Sequence, residues 1–421
     1  MKILLFNQYA GSPDLGMEFR PYYMARDWVA LGHEVAIVTG SFSHVRHVNP
    51  SMNIPEVTEH REGITYHWIR VPPYDGNGVK RVQNILTYSA SIWIRAHKLA
   101  AKYQPDLVVS SSTHPLDYFG AHRVASLSGA VHVHEVHDLW PSTLYEVGGM
   151  GRFHPWVQLL QVAENRAYRN VDFVVSMLPD ALPYMSAHGL SKDKFAYIPN
   201  GVVQSDWKES KPLPPALQTA LSAIHERGDL IVGYAGGFNL ANELGSLLEA
   251  AQTLPSGVHV VLAGDGPCRP SLEDEYGCDR VTFLPAVSKR EIPSLLREFD
   301  ICFVGYRRSP LYRFGVSPNK LFDYMMAAKP IIYSVEASND PVRDAEAGLT
   351  VPPEDTIAVR HAIKQLVEMN VQERTRLGEN GRRYVLENNE YSVLSSTFLT
   401  LTLSCSSTHP DHVRGHGLEP S

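Results

Sequence analysis

Short apolar runs recur along the first half of the chain, and between them apolar residues return at helical spacing. Residues 3–6, 35–39, 65–71, 107–110, 131–136 and 173–176 predict strands. Between the first two, residues 17–31 predict a helix that stops at Gly32. A strand–helix–strand rhythm of this kind builds a doubly wound parallel sheet. It closes on a short strand at Tyr197-Ile-Pro-Asn-Gly-Val202, whose Pro and Asn-Gly mark a turn, and the Pro-rich Lys211-Pro-Leu-Pro-Pro215 follows. The rhythm then restarts, with strands at 230–234, 259–263, 281–284, 301–304 and 330–334. Helices are predicted at 244–253, 290–298, 321–328, 356–369 and 373–386.

At 421 residues the chain exceeds the size at which one core keeps growing, so two strand–helix sets mean two Rossmann-like domains. The expected division is 1–200, then 201–385, then a helix over 386–403 that returns to the first domain. Residues 404–421, polar and aperiodic, predict a disordered tail. Open parallel sheets bind ligands at the carboxyl ends of their strands, so a central cleft faced by both domains is the expected site.

Composition narrows the function. A net charge of −7 supplies no basic field for collecting nucleic-acid phosphates. Cys268, Cys278, Cys302 and Cys405 form no CxxC pair, and no metal-ligand cluster surrounds them, which reads as a reducing compartment. Met1-Lys-Ile-Leu-Leu-Phe6 is too short for a secretory signal, and the charge-free 391–410 is too rich in Ser and Thr to span a bilayer. The expectation is a cytoplasmic protein, at most on the inner face of the membrane. For such contact the candidate is 80–103, where Lys80, Arg81, Arg95, Lys98 and Lys102 accompany Ile85, Leu86, Tyr88, Ile92, Trp93 and Leu99 without an acid. The same pattern also fits a helix packed on the first domain.

Candidate chemistry centres on Phe314-Gly-Val-Ser-Pro-Asn-Lys-Leu-Phe-Asp-Tyr-Met-Met-Ala-Ala-Lys-Pro-Ile-Ile332. Ser317 reads as an N-cap and Pro318 as the first helical residue. A helix start beside a strand end offers free amides and a partial positive charge to a phosphate. Lys320 adds a full charge, and Asp323, further along, suits a ribose diol. That is the layout of a nucleotide pocket.

The run Asp323-Tyr-Met-Met-Ala-Ala-Lys-Pro-Ile331 resembles the donor-binding motif of family-four glycosyltransferases, retaining enzymes with the GT-B fold. Ser-Pro-Asn-Lys-Leu-Phe-Asp-Tyr-Met325 is similar to enzymes that build O-antigen and capsule repeats. Phe6-Asn-Gln-Tyr-Ala-Gly-Ser-Pro13 with Gly16-Met-Glu-Phe-Arg-Pro-Tyr-Tyr23 resembles N-acetylfucosaminyltransferase-like members. The resemblance covers residues 1 to about 395. It implies an α/β GT-B protein, two doubly wound Rossmann-like domains facing a cleft, with no cofactor or metal and a nucleotide-diphospho-sugar substrate, UDP-linked. A glycan or polyprenyl-linked acceptor would approach near Gly16, His137 and Ser111-Ser-Thr-His114. His137-Asp138 matches the family's His-Asp beside the donor sugar. Donor contacts are implied for Gly16, Gly236, Gly237, Asn242, Gly266, Pro318, Asn319, Lys320, Leu321 and Asp323, and Val281-Thr-Phe-Leu-Pro-Ala-Val287 looks like the base-reading segment.

Three departures stand out. Gly11–Gly16 is not GxGxxG, which disfavours a dinucleotide oxidoreductase. Phe238 and Asn242 occupy the loop where the family carries Arg and Lys, leaving the phosphate to backbone amides, the helix end and Lys320. Gly315 replaces the first of the family's two acids, which implies a deoxy or N-acetylated donor sugar, or an inactive protein. His132 and His134 alternate with apolar residues mid-strand without a third ligand, a poor metal set. The leading expectation is a retaining, metal-independent transferase acting in surface polysaccharide synthesis. A nucleotide-sugar epimerase of the same architecture and a non-catalytic nucleotide-sugar-binding partner are the alternatives.

Overall fold

The computed structural model describes residues 1–76 and 78–406. The chain divides into two units, Met1–Pro199 with the segment from Tyr391, and Asn200–Glu390. In the first unit the strands are β1 (Lys2–Phe6), β2 (Glu34–Gly40), β3 (Glu56–Arg61), β4 (Ile64–Ile69), β5 (Leu107–Ser110), β6 (Val131–Val136), β7 (Phe173–Ser176) and β8 (Phe195–Tyr197). They lie in the order β3-β4-β2-β1-β5-β6-β7-β8, parallel except for β3, with Ile3 opposite both Val35 and Leu107. The central strands are apolar on both faces because helices cover both, as parallel sheets require. The first helix, Arg20–Ala30, starts later than the apolar pattern suggests and ends before Gly32, whose φ of +86° a side chain would strain.

β3 was absent from the sequence reading. Glu-Val-Thr-Glu-His-Arg has no apolar run, and as an edge strand it pairs only with β4. The final helix, Tyr391–Ser406, closes this unit: Phe398 packs on Trp28 at 5.2 Å between ring centroids, and Trp28 Nε1 donates to the Ser395 carbonyl at 3.1 Å. It runs to Ser406, past residue 404 where the disordered tail was expected to begin, and Tyr391, Leu394, Phe398 and Leu399 are buried along it. Residues 407–421 of that expected tail lie outside the described residues.

The 80–103 segment forms two helices, Val79–Ile94 and Ala96–Tyr103. Ile85, Tyr88, Ile92 and Leu99 are buried in the core, so these four are withdrawn from the proposed lipid-facing set. Glu56 pairs with Arg95 and Lys98, and Lys102 donates to Thr58 Oγ1 at 2.8 Å, which neutralises or occupies three of the five cations. Val79, Leu86, Trp93 and Ile94 remain exposed at helical spacing.

The second unit holds β9 (Leu230–Ala235), β10 (Val258–Ala263), β11 (Val281–Leu284), β12 (Ile301–Gly305), β13 (Ile331–Ser334) and β14 (Gly348–Val351). All pair in parallel, in the order β11-β10-β9-β12-β13-β14. β14, an edge strand of four half-buried residues, was also missed. The helix predicted over 290–298 opens as a 3₁₀ turn, Lys289–Glu291, under a Ser288–Glu291 capping box. In each sheet the chain first winds outward on one side of its central strand and then returns to the other. Loops therefore diverge above β1 and β5 in one unit and above β9 and β12 in the other, the switch points at which open α/β sheets bind ligands.

Candidate functional site

In the second unit the loop after β9 and the helix Asn319–Met326 meet at Lys320. Its Nζ donates to Asn242 Oδ1 at 2.6 Å and to the Tyr234 hydroxyl at 3.0 Å, and lies over the rings of Tyr234 and Tyr306. Burial lowers the Lys320 pKa to about 7, because no carboxylate compensates the ammonium. Asn242 Nδ2 donates in turn to the Gly237 carbonyl at 2.8 Å, so this side chain holds both the lysine and the glycine loop. The amides of Asn319 and Lys320 open the helix, where an α-helix leaves its first N–H groups without an intrahelical acceptor. The Leu321 amide donates to the Pro318 carbonyl at 3.1 Å.

Two details of this helix differ from the sequence reading. Pro318 is the N-cap and Asn319 opens the helix, because Pro318 sits at ψ 122°. Ser317 does not cap it; the Ser317 hydroxyl accepts from the Asn200 amide at 2.8 Å. Phe238, placed by sequence where a phosphate cation would stand, is wholly buried in the sheet–helix core. Gly237 is exposed, whereas a Cβ at Gly236 would stand 2.9 Å from the Tyr234 hydroxyl. Gly266, at φ +153°, lies against the Phe238 backbone, where a Cβ would approach its carbonyl to 2.4 Å. The two glycine turns are thus packed on one another. Leu321 is buried in the core.

Asp323 does not stand alone. Lys289 Nζ donates to both carboxylate oxygens, at 2.8 and 2.6 Å, with side-chain exposures of 23% for the lysine and 13% for the aspartate. Lys289 comes from the turn that follows Val281–Val287 and was not singled out by sequence. A lysine 34 residues upstream gives no local sign of this pairing. Gly315 has φ +94°, a conformation that a glutamate at this position would adopt only under strain.

In the first unit the polar residues gather at the carboxyl ends of β1, β5 and β6. Arg20 and Glu135, 1% and 3% exposed, form an ion pair at 3.0 Å, and Arg20 also donates to the carbonyls of Ile198 and Pro199. The other Glu135 oxygen accepts from the Ser111 hydroxyl at 2.6 Å and lies 3.2 Å from His137 Nε2. Burial favours a protonated Glu135, yet Arg20 and the bonds from His137 and Ser111 hold its pKa well below the usual carboxylate range. Burial works against the His137 imidazolium, but the hydrogen bond and charge of Glu135 raise its pKa above the ordinary value. Asp138, the next residue, is exposed.

Other histidines are occupied. Ser110 Oγ lies 2.9 Å from His134 Nδ1 and 3.1 Å from His132 Nε2, and burial lowers both imidazole pKa values, His134 to about 4. Gly16, read as a place for ligand approach, has φ +105°, and a Cβ there would lie 2.7 Å from the His47 amide nitrogen. Its glycine is therefore required by the protein's own backbone. Ser111 lies in the loop expected near the acceptor, whereas Arg20 and Glu135 went unassigned because isolated charged residues in a sequence read as solvated surface.

Two doubly wound units of this kind define the GT-B class, and solved structures agree. Sucrose-phosphate synthase (tll1590) from Thermosynechococcus elongatus superposes with a TM-score of 0.73 at 19% identity, over 97% of this chain and 100% of that one. Anabaena Alr3699/HepE, solved in complex with UDP and glucose, does so with a TM-score of 0.65 at 17% identity, over 96% and 99%. In sequence, residues 16–201 match the glycosyl transferase 4-like domain and residues 229–369 the glycosyl transferases group 1 family. An alpha-D-kanosaminyltransferase of Streptomyces kanamyceticus is 30% identical over 125 residues, 28% of this chain and 31% of the relative, so the match spans about a third of that protein. The chain belongs to the family-four glycosyltransferases.

Proposed function

We propose that this protein is a retaining, metal-independent glycosyltransferase that moves a sugar from a nucleoside-diphospho-sugar, UDP-linked, to a glycan or lipid-linked acceptor of a cell-surface polysaccharide. The carrying observation is Lys320. It stands at a helix start above the sheet's switch point, held by Asn242 and Tyr234, with Asp323 one turn on. In this reading the Asn319 and Lys320 amides and the Lys320 ammonium take the diphosphate, Gly237 lines its path, and Asp323 takes the ribose diol. As the anomeric bond breaks, charge builds on the leaving diphosphate, and preoriented donors in a partly dry site stabilise it. His137 serves the sugar or the incoming hydroxyl. No enzymic nucleophile is assigned, so displacement proceeds on the face that the diphosphate leaves.

The exposed stripe Val79, Leu86, Trp93 and Ile94, with Lys80 beside it, supports reversible contact with a membrane carrying a lipid-linked acceptor. Incubation with a panel of nucleotide-sugars, with and without polyprenyl-phosphate glycans, tests the proposal. Acceptor-dependent nucleotide release with the anomeric configuration kept is expected. Isomerised donor sugar without acceptor identifies an epimerase, and binding without turnover identifies a non-catalytic partner; either overturns the proposal.

A further inference from the structure

The triangle formed by Glu135 Oε2, Ser111 Oγ and His137 Nε2 has edges of 2.6, 2.9 and 3.2 Å. Three short contacts among three electronegative atoms need two protons to be attractive. A carboxylate oxygen brings none, because Arg20 keeps Glu135 ionised through its own 3.0 Å bond. The serine brings one and gives it to the carboxylate, the shortest edge. The second proton must sit on His137 Nε2, where it is shared between the carboxylate and the serine oxygen. The opposite tautomer would leave Nε2 bare, with one proton for three contacts and lone pairs opposed at 3.2 Å.

We propose that Glu135, with Ser111, is a positioning residue that holds His137 in the Nε2–H tautomer and so makes Nδ1 the atom that meets a substrate hydroxyl. Nδ1 has no hydrogen-bond partner among the described residues, and the imidazole retains 6% of its surface. Neutral His137 is then a hydrogen-bond acceptor for a sugar or acceptor hydroxyl, and it becomes a donor only as the imidazolium. The inference rests on the transferase reading for what Nδ1 meets, but the tautomer stands on the triangle alone. Titratable and charged groups that face His137 are Glu135, His134 and Asp138 on its own strand and loop, Glu18 and Arg20 from the segment after β1, and Asp117 at the start of the helix after β5.

The test is ¹⁵N NMR of histidine-labelled protein, with His137 assigned by difference against His137→Asn. Above its titration, the His137 pair should show a protonated Nε2 and a bare Nδ1. In Glu135→Gln the tautomer should mix and the titration midpoint fall, because the anion that holds the proton is gone. Glu135→Gln also leaves Arg20 unpaired in the interior and risks misfolding. Ser111→Ala spares that ion pair and should weaken the same tautomer preference. A neutral wild-type His137 protonated on Nδ1 overturns the inference, as does a folded Glu135→Gln protein with unchanged tautomer and midpoint. Failure of the transferase reading alone would appear as the correct tautomer in a protein that turns over no donor.

Discussion

Replacing Lys320 by Met separates charge from packing, because the two side chains are of similar length. In the free protein Lys320 has a pKa of about 7, lowered by burial, so at pH 8 only about a tenth of it carries charge. A bound diphosphate places negative charge beside the Nζ and should return its pKa toward 10.5. Binding of nucleoside diphosphate at pH 8 should then take up about 0.9 proton, and at pH 6 about 0.1 on this lysine. Affinity should fall about tenfold per pH unit above 7 until the bound-state pKa is reached. Titration calorimetry in buffers of different ionisation enthalpy measures the uptake directly, and Lys320→Met should abolish the pH 8 uptake. Stability responds with the opposite sign. The folded pKa lies below the unfolded one, so the cost of the buried ammonium is full below about pH 7 and is relieved as pH rises toward 10.5. Lys320→Met should therefore raise Tm more at pH 6 than at pH 9 while weakening nucleotide binding. Binding without proton uptake at pH 8, or with unchanged affinity in the folded variant, would refute the phosphate role.

Asp323→Ala should weaken nucleotide binding by about ten- to a hundredfold, the worth of a charge-assisted hydrogen bond. Its effect on the melt should be small, about 1 kcal/mol or less, because the Lys289 pair keeps partial contact with solvent; calorimetric titration beside a thermal scan compares the two. Transfer activity should persist in excess EDTA, with Lys320 and backbone amides meeting the diphosphate charge, and a loss restored by Mg²⁺ or Mn²⁺ would contradict this. Ile94→Asp should lower sedimentation with anionic vesicles without changing the melt by more than about 0.5 kcal/mol, since Ile94 is exposed. Equal, negligible pull-down by wild type and variant would confine the Val79–Ile94 helix to packing.

Strand and helix alternation by itself determined both sheets, because a strand buried on two faces must be an unbroken apolar run. β5 and β7 are legible to the residue for that reason. β6, broken by His132, His134 and Glu135, and β11, an edge strand, were read to the residue from their alternating or short apolar positions. Two edge strands escaped: Glu56–Arg61 and Gly348–Val351 have a neighbour on one side only, and nothing demands that both their faces be apolar. The candidate phosphate-binding helix start, with Lys320 and Asp323, was legible as one short segment, since the helix Asn319–Met326 carries both side chains. Ser317 was misassigned because a serine before a proline reads as a cap until a distant amide, that of Asn200, claims its hydroxyl. That Phe238 turns into the core was not legible, because loop position says nothing about which way a side chain turns. What only the tertiary structure decided is which charges meet. Arg20 with Glu135 and Lys289 with Asp323 are 115 and 34 residues apart, joined by the winding that brings strand ends together. Charge pairing is fixed by distance in space, falls off within a few ångströms, and leaves no period along the chain.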